Sequence, residues 1–170
     1  IQTPVYHPFR ISTENNNRKI VTNPLIDTNG YYTVDFNDFE KKIIDNNVKM
    51  FILCNPHNPV GRVWTKEELE KMGEICLKHN VLVVSDEIHS DLIFKDSKFT
   101  SFLTLKDELK NNCIVCTAPS KTFNLAGLQT SLILIADDEI REKYKNTLMK
   151  IRLETPSTFG IEAIKAGYMH

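Results

Sequence analysis

The sequence predicts an α/β fold with a mostly parallel central sheet, and three observations carry that prediction. Short apolar runs recur at Met50–Cys54, 81–84 and 113–116; they are rich in strand formers and too short for helices, as expected of strands buried on both faces. Between the first two lies a helix signal of the length a parallel crossover needs. Each run stops at polar or proline-containing sequence, Asn55-Pro56, Ser85-Asp86 and Thr117-Ala118-Pro119, so the chain leaves the sheet at one edge.

Taken in order, residues 1–4 read as the end of a strand, with Val5 and Tyr6 just beyond it. Asn15, Asn16 and Asn17 mark a turn, residues 18–22 a second short strand, and residues 27–30 the turn of a small hairpin. Phe36, Phe39, Ile43 and Ile44 recur at helical spacing within residues 35–45. After the Met50–Cys54 run, Thr65 with Glu68 three residues on forms a capping box, and Leu69, Met72, Gly73 and Cys76 supply the core stripe of a helix that ends at Asn80. Residues 90–112 read as a packed loop carrying Phe94, Phe99, Phe102 and Leu103, with a short helix around 101–110. Residues 131–136 are a further strand, Asp138 begins a helix with Ile140, Tyr144 and Leu148 on one face, and residues 157–170 read as helical and incomplete.

Composition narrows the function classes. With 170 residues, 41% hydrophobic and 25% charged, the chain suits one ordinary globular domain. A net charge of -1 with interspersed signs argues against a nucleic-acid surface, where lysine and arginine would cluster. No apolar run approaches the roughly 20 residues of a membrane span, and the first residues lack the pattern of a secretory signal, so no membrane contact and a cytoplasmic location are expected. The start at Ile1, directly in strand-like sequence, suggests a piece of a longer protein. Cys113 and Cys116 have a two-residue spacing but no second pair, and residues three apart on a strand point to opposite faces; buried thiols rather than a metal site are expected.

Lys121 follows the third apolar run after a four-residue break, and Phe123, Leu125, Ala126 and Leu128 then resume apolar spacing. An amine among such neighbours is expected to be partly dehydrated, which disfavours its charged form and makes it a better nucleophile. The segment Ser120-Lys121-Thr122-Phe123-Asn124-Leu125-Ala126-Gly127-Leu128 resembles the cofactor-lysine segment of pyridoxal phosphate enzymes of the aspartate aminotransferase fold type, the class I/II aminotransferase family. Asn58-Pro59-Val60-Gly61 and Ser85-Asp86-Glu87-Ile88-His89 match two further motifs in the required order. The Asp-Glu-Ile-His form, preceded by Gly61-Arg62-Val63-Trp64, is most similar to the carbon-sulfur lyase branch, the cystathionine β-lyase-like proteins.

The resemblance implies a three-layer sandwich, with residues 1–170 forming part of the large domain that binds pyridoxal 5'-phosphate. The start of that domain and a small domain would lie outside them. It implies Lys121 and Asp86 as catalytic residues. Tyr6, Asn58, His89 and Ser120 join them in holding the cofactor, and no metal is involved. An amine condenses with the cofactor aldehyde, a carboxylate keeps the ring nitrogen protonated, an amide donates to the ring oxygen and an aromatic face stacks on the ring. Tyr6, Asn58, Asp86 and Lys121 all lie past strand ends, around a space on the order of 10 Å wide. His89 stands where many relatives carry tyrosine, Ala118 where relatives often carry serine, and Gln129 where many aminotransferases carry an arginine for the phosphate. Ser120 and N–H groups at a following helix start are the phosphate donors left within the chain. The glycine-rich phosphate loop is expected before Ile1, and the arginine for the substrate carboxylate after His170.

The activity implied is carbon-sulfur β-lysis of a small amino-acid substrate in a full-length homodimer. Transamination is the alternative, since the two share their early steps. A third reading, a non-catalytic sensor domain attached to a DNA-binding module, finds no basic or helix-turn-helix segment in these residues.

Overall fold

The structure, a computed structural model, describes residues 1–169. The chain opens with strand β1 (Gln2–Thr3) and helix α1 (Pro8–Asn15), followed by β2 (Asn23–Pro24), the strands β3 (Ile26–Thr28) and β4 (Tyr31–Thr33), and α2 (Phe36–Asp45). Next come β5 (Met50–Cys54), α3 (Lys66–Lys78), β6 (Leu82–Asp86), a 3-10 turn at Phe102–Thr104, the single turn α4 (Asp107–Lys110) and β7 (Cys113–Thr117). A 3-10 turn at Ala126–Leu128, β8 (Leu132–Ile135), α5 (Asp138–Lys150) and α6 (Thr158–Met169) follow.

The central sheet has the order β5-β6-β7-β8, with β5, β6 and β7 parallel and β8 antiparallel to β7. Parallel pairing follows from the crossovers: α3 carries the chain from the end of β5 back to the start of β6. Residues 118–131 hold only a 3-10 turn, too little to cross the sheet. The chain therefore re-enters from the edge it left, and β8 runs the other way.

The sheet buries one face deeply. Phe51, Leu53, Val83, Cys113 and Val115 join Leu69, Met72 and Cys76 of α3 and Phe102, Leu105 and Leu109 in one core. The α3 residues are fully buried, and three such side chains together contribute several times the roughly 1 kcal/mol of a cap. Packing therefore holds α3, while the Thr65–Glu68 capping box fixes where it starts. On the other face Ile52, Val84, Ile114 and Cys116 are half-buried, and α5 packs against β8 with Tyr144 in electrostatic reach of Cys116. Helices on both sides of a mostly parallel sheet make the predicted three layers. Cys113 is buried on the first face and Cys116 lies on the second, as strand alternation requires.

Four expectations need correction. Residues 18–22 form no strand; the pairing falls at β2, where the Asn23 N–H donates to the Ile1 carbonyl at 3.0 Å and the Leu25 N–H to that of Thr3 at 2.8 Å. Only residues 23–24 lie in register with β1; of residues 18–22, Val21 gives its carbonyl to the Ile1 ammonium at 3.1 Å, but no ladder extends along them. Helix α1 was not legible, because Phe9 is its single buried residue and no side chain caps it. The helix expected around 101–110 is split into the 3-10 turn and α4, with Leu105 extended between them. The helix start expected directly after Lys121 is only the 3-10 turn at Ala126–Leu128. His170 lies outside the described residues.

Candidate active site

Cys54, Asp86 and Cys116 are register partners at the C-terminal ends of β5, β6 and β7. Their side chains share one face at neighbouring-strand spacing, about 4.8 Å, so a carboxylate stands between two thiols. Asp86 is half-buried, and its Oδ1 accepts the Ile88 N–H at 3.2 Å. Burial pushes its carboxyl above the ordinary value of 3.8, against the opposing pull of that N–H and of the positive charges on His89 and Lys121. Lys121 and His89 thus both act on Asp86, although the chain separates the lysine from it by 35 residues. Burial also lifts both thiols to about 11, the Asp86 charge adding to the effect, so they flank the acid as neutral groups.

The chain just after Asp86 is fixed by Glu87, which turns to the other side. Its Oε1 accepts the Ser85 hydroxyl at 3.0 Å and the Phe102 N–H at 2.9 Å, and burial raises its carboxyl above the usual range. A buried carboxylate with two donors anchors the strand end to the following loop.

Asn58 sits on the loop that leaves β5. The Asn55 N–H donates to the Asp86 carbonyl at 2.9 Å, the Asn58 N–H to Cys54 Sγ at 3.3 Å, and the Trp64 indole N–H to the Cys54 carbonyl at 2.9 Å. Gly61, at φ +71, makes the turn that lets its N–H reach the His57 carbonyl at 2.8 Å. His57 Nε2 lies 2.9 Å from the Pro4 carbonyl, which holds the segment carrying Tyr6 beside this loop.

Lys121 sits on the loop that leaves β7. That loop is closed by the Phe123 N–H to the Pro119 carbonyl at 2.9 Å and the Leu125 N–H to the Ser120 carbonyl at 3.1 Å. The expected dehydration of Lys121 is not found: the residue is exposed. The aromatic ring two positions on does not enclose the amine, because Phe123 packs edge-on against Tyr168 of α6 at 5.2 Å. Ser120 is half-buried beside the lysine.

The structure therefore places Asp86, His89 and Lys121 at one edge of the sheet, with Asn58 tied to the same edge through Cys54. Tyr6 leaves a different sheet, although the His57–Pro4 contact keeps its segment beside the Asn58 loop. It follows β1 of the separate two-stranded sheet, is 42% exposed, and touches the rings of His7 and Phe9. A cavity of about 550 Å³ between residues 18–23, α2 and the start of β5 contains none of these residues. Two groups escaped the sequence reading: Cys54, which had only its place at a strand end to mark it, and Asp91, which had no signal. Among the described residues no His, Cys, Asp and Glu group is arranged to hold a metal ion.

The donor set fits a flat heteroaromatic group carrying both a basic ring nitrogen and an aldehyde. Asp86 has one N–H donor and spare lone pairs on a half-buried carboxylate, Lys121 offers an accessible amine, and Asn58 offers an amide. Fold and rim define an α/β domain with an acid and a lysine at the same edge of its parallel strands. The family model of aminotransferases class I and II matches residues 1–169. Cystathionine beta-lyase PatB of Bacillus subtilis is 49% identical over 168 residues, 99% of this chain and 43% of the relative. Among solved structures, cystalysin of Treponema denticola, which contains pyridoxal 5'-phosphate, superposes with a TM-score of 0.91 at 43% identity, over 95% of this chain and 41% of that one. The pyridoxal phosphate-bound C-S lyase of Staphylococcus hominis gives 0.81 at 36% identity, over 87% and 38%. The chain belongs to the aminotransferase class I and II family, and it spans less than half the length of these relatives.

Proposed function

We propose that the protein is a pyridoxal 5'-phosphate-dependent carbon-sulfur β-lyase that converts a cysteine S-conjugate and water to a thiol, pyruvate and ammonia. The observation that carries the reading is that β6 and β7 pair in parallel, so Asp86 at the end of one and Lys121 on the loop leaving the other stand at the same edge of the sheet. When bound, the cofactor supplies an aldehyde for the amino group and a ring that withdraws electrons from the substrate Cα.

In this reading Lys121 would hold the cofactor by its amine, and the same amine would take the Cα proton and return a proton to the departing thiolate. Asp86 would keep a proton on the ring nitrogen, since a neighbouring negative charge favours the cation. The Asn58 amide orients the ring through its oxygen, with His89 beside it. Ser120 would hold the phosphate, and the Tyr6 ring would stack on the cofactor. Residues 1–170 belong to the large domain in this reading, and the working protein is a cytoplasmic homodimer. Among the described residues, no helix is long and apolar enough to cross a membrane.

Transamination remains the second reading, favoured by the family itself. Loading the protein with pyridoxal phosphate, reducing with borohydride and mapping the modified peptide tests the site, with Lys121 expected to carry the label. Incubation with cystathionine, and separately with alanine and a keto acid, separates the reactions. Thiol release is expected, and amino-group exchange without it would replace lysis by transamination.

A further inference from the structure

Asp91 lies on the loop leaving β6, five residues after Asp86. One oxygen of its carboxylate, Oδ2, accepts the Thr122 hydroxyl at 2.8 Å and the Tyr168 hydroxyl at 2.9 Å. Thr122 directly follows Lys121. That single oxygen therefore ties together the loop of the acid, the loop of the lysine and helix α6.

The packing of α6 points the same way by an independent route. Gly160 and Gly167 are seven residues apart, two turns, and so lie on one face of the helix. A Cβ at 160 would stand 1.8 Å from Thr130 Oγ1, and one at 167 would stand 2.8 Å from Phe123 Cε2. The segment after Lys121 thus crosses α6 at two places where only hydrogen fits, with the Phe123 ring also edge-on to Tyr168 at 5.2 Å.

We propose that α6 braces the Lys121 loop, and that Asp91, Thr122 and Tyr168 are positioning residues fixing the lysine relative to Asp86. The inference deepens the lyase reading by naming what holds an exposed amine in register with an acid on another strand. A lysine has four rotatable carbons, so its backbone must be fixed if its amine is to return to one place after each proton transfer. The residues immediately after Lys121 supply that restraint, because its own side chain is left in solvent.

The test uses Tyr168→Phe, which keeps the ring against Phe123 and removes only the hydroxyl, and Asp91→Asn, which keeps the shape and removes the charge. In the cofactor-free protein, hydrogen exchange of the Phe123 and Leu125 amides reports opening of the loop they close. Loss of one such bond predicts a rise of roughly fivefold at these two amides, with β6 and β7 amides unchanged. In the loaded protein, the pH midpoint of the absorbance of the lysine-bound cofactor should shift in both variants. Unchanged exchange and an unchanged midpoint would overturn the brace, and so would faster exchange spread evenly through the sheet, the mark of general destabilisation. Borohydride labelling away from Lys121 would reject the lyase reading, while the exchange measurement would still decide the brace.

Discussion

The backbone N–H of Asn58 donates to Cys54 Sγ at 3.3 Å, and Cys54 is at the same time the register partner of Asp86. A thiol therefore couples the loop bearing the amide to the strand end bearing the acid. Its proton is retained well beyond neutral pH, so it adds no charge beside the carboxylate. Cys54→Ala removes the acceptor and leaves a small void, and together these should cost about 1–3 kcal/mol. Trp64, the one tryptophan and fully buried, donates to the Cys54 carbonyl and gives the fluorescence signal for urea unfolding. A wild-type midpoint in the variant would remove the thiol from the account of how Asn58 is placed.

Arg62 and Glu68 form the most buried ion pair among the described residues. Arg62 Nη2 reaches both Glu68 oxygens, at 2.9 and 2.7 Å, Nη1 reaches the Tyr32 carbonyl, and the guanidinium stacks over Tyr31 and Trp64 at 4.4 and 4.7 Å. Glu68 also accepts the Thr65 N–H at 2.8 Å, so it caps α3 while pairing with Arg62. A lysine at position 62 keeps the charge but loses the fork and the stacking, and Arg62→Lys should destabilise by about 2–3 kcal/mol. Disrupting the exposed Lys143–Glu139 pair should produce no measurable change in the same urea titration.

Gly73 sets how closely α3 approaches the turn and α4. A Cβ there would lie 3.0 Å from Phe102 Cζ and 3.1 and 3.2 Å from the two Leu109 methyls. Alanine gains about 1 kcal/mol of helix propensity, but overpacking a filled core typically costs about 1–3 kcal/mol. Phe102 and Leu109 are themselves buried and cannot swing away, so Gly73→Ala should lower stability by roughly 1 kcal/mol. A higher melting temperature would show that the two side chains have room to yield.

What the sequence made legible follows where its signals were strong. The runs at β5, β6 and β7 are apolar enough to read as buried strands, and the Thr65–Glu68 box marks a helix start locally. Asp86 and Lys121 were singled out by motif, and the parallel pairing of β6 with β7 puts both past neighbouring strand ends. The exposure of Lys121 was not legible, because the side chain that should have dried it, Phe123, is taken up by a tertiary contact with Tyr168. Tyr6 illustrates a second limit: a strand end was read correctly, but which sheet the strand joins depends on pairing with residues 23–24. Asp91 belongs to the same class, since its partners lie 31 and 77 residues away.

Asp86 connects the proposed chemistry to stability. Burial raises its folded pKa above 3.8, so the fold favours the proton-bearing carboxyl. That contribution is fully present below 3.8 and is lost as pH rises through the folded value; at neutral pH the cofactor-free protein carries an ionised carboxylate short of water. An asparagine in its place keeps an oxygen for the Ile88 N–H and carries no charge. Asp86→Asn should therefore raise the urea midpoint of the cofactor-free protein at neutral pH, and the gain should vanish as pH falls below 3.8. With pyridoxal phosphate present the order should reverse, because a cation held against Asp86 offsets the cost in the wild type and finds no countercharge in the variant. Thiol release should fall by at least about a hundredfold in the same variant, a loss typical of removing a charge that acts only as the transition state forms. A variant more stable without cofactor, stabilised less by it and nearly inactive would show a residue kept for chemistry at the expense of the fold; equal stabilisation of both proteins by the cofactor would detach Asp86 from the ring nitrogen.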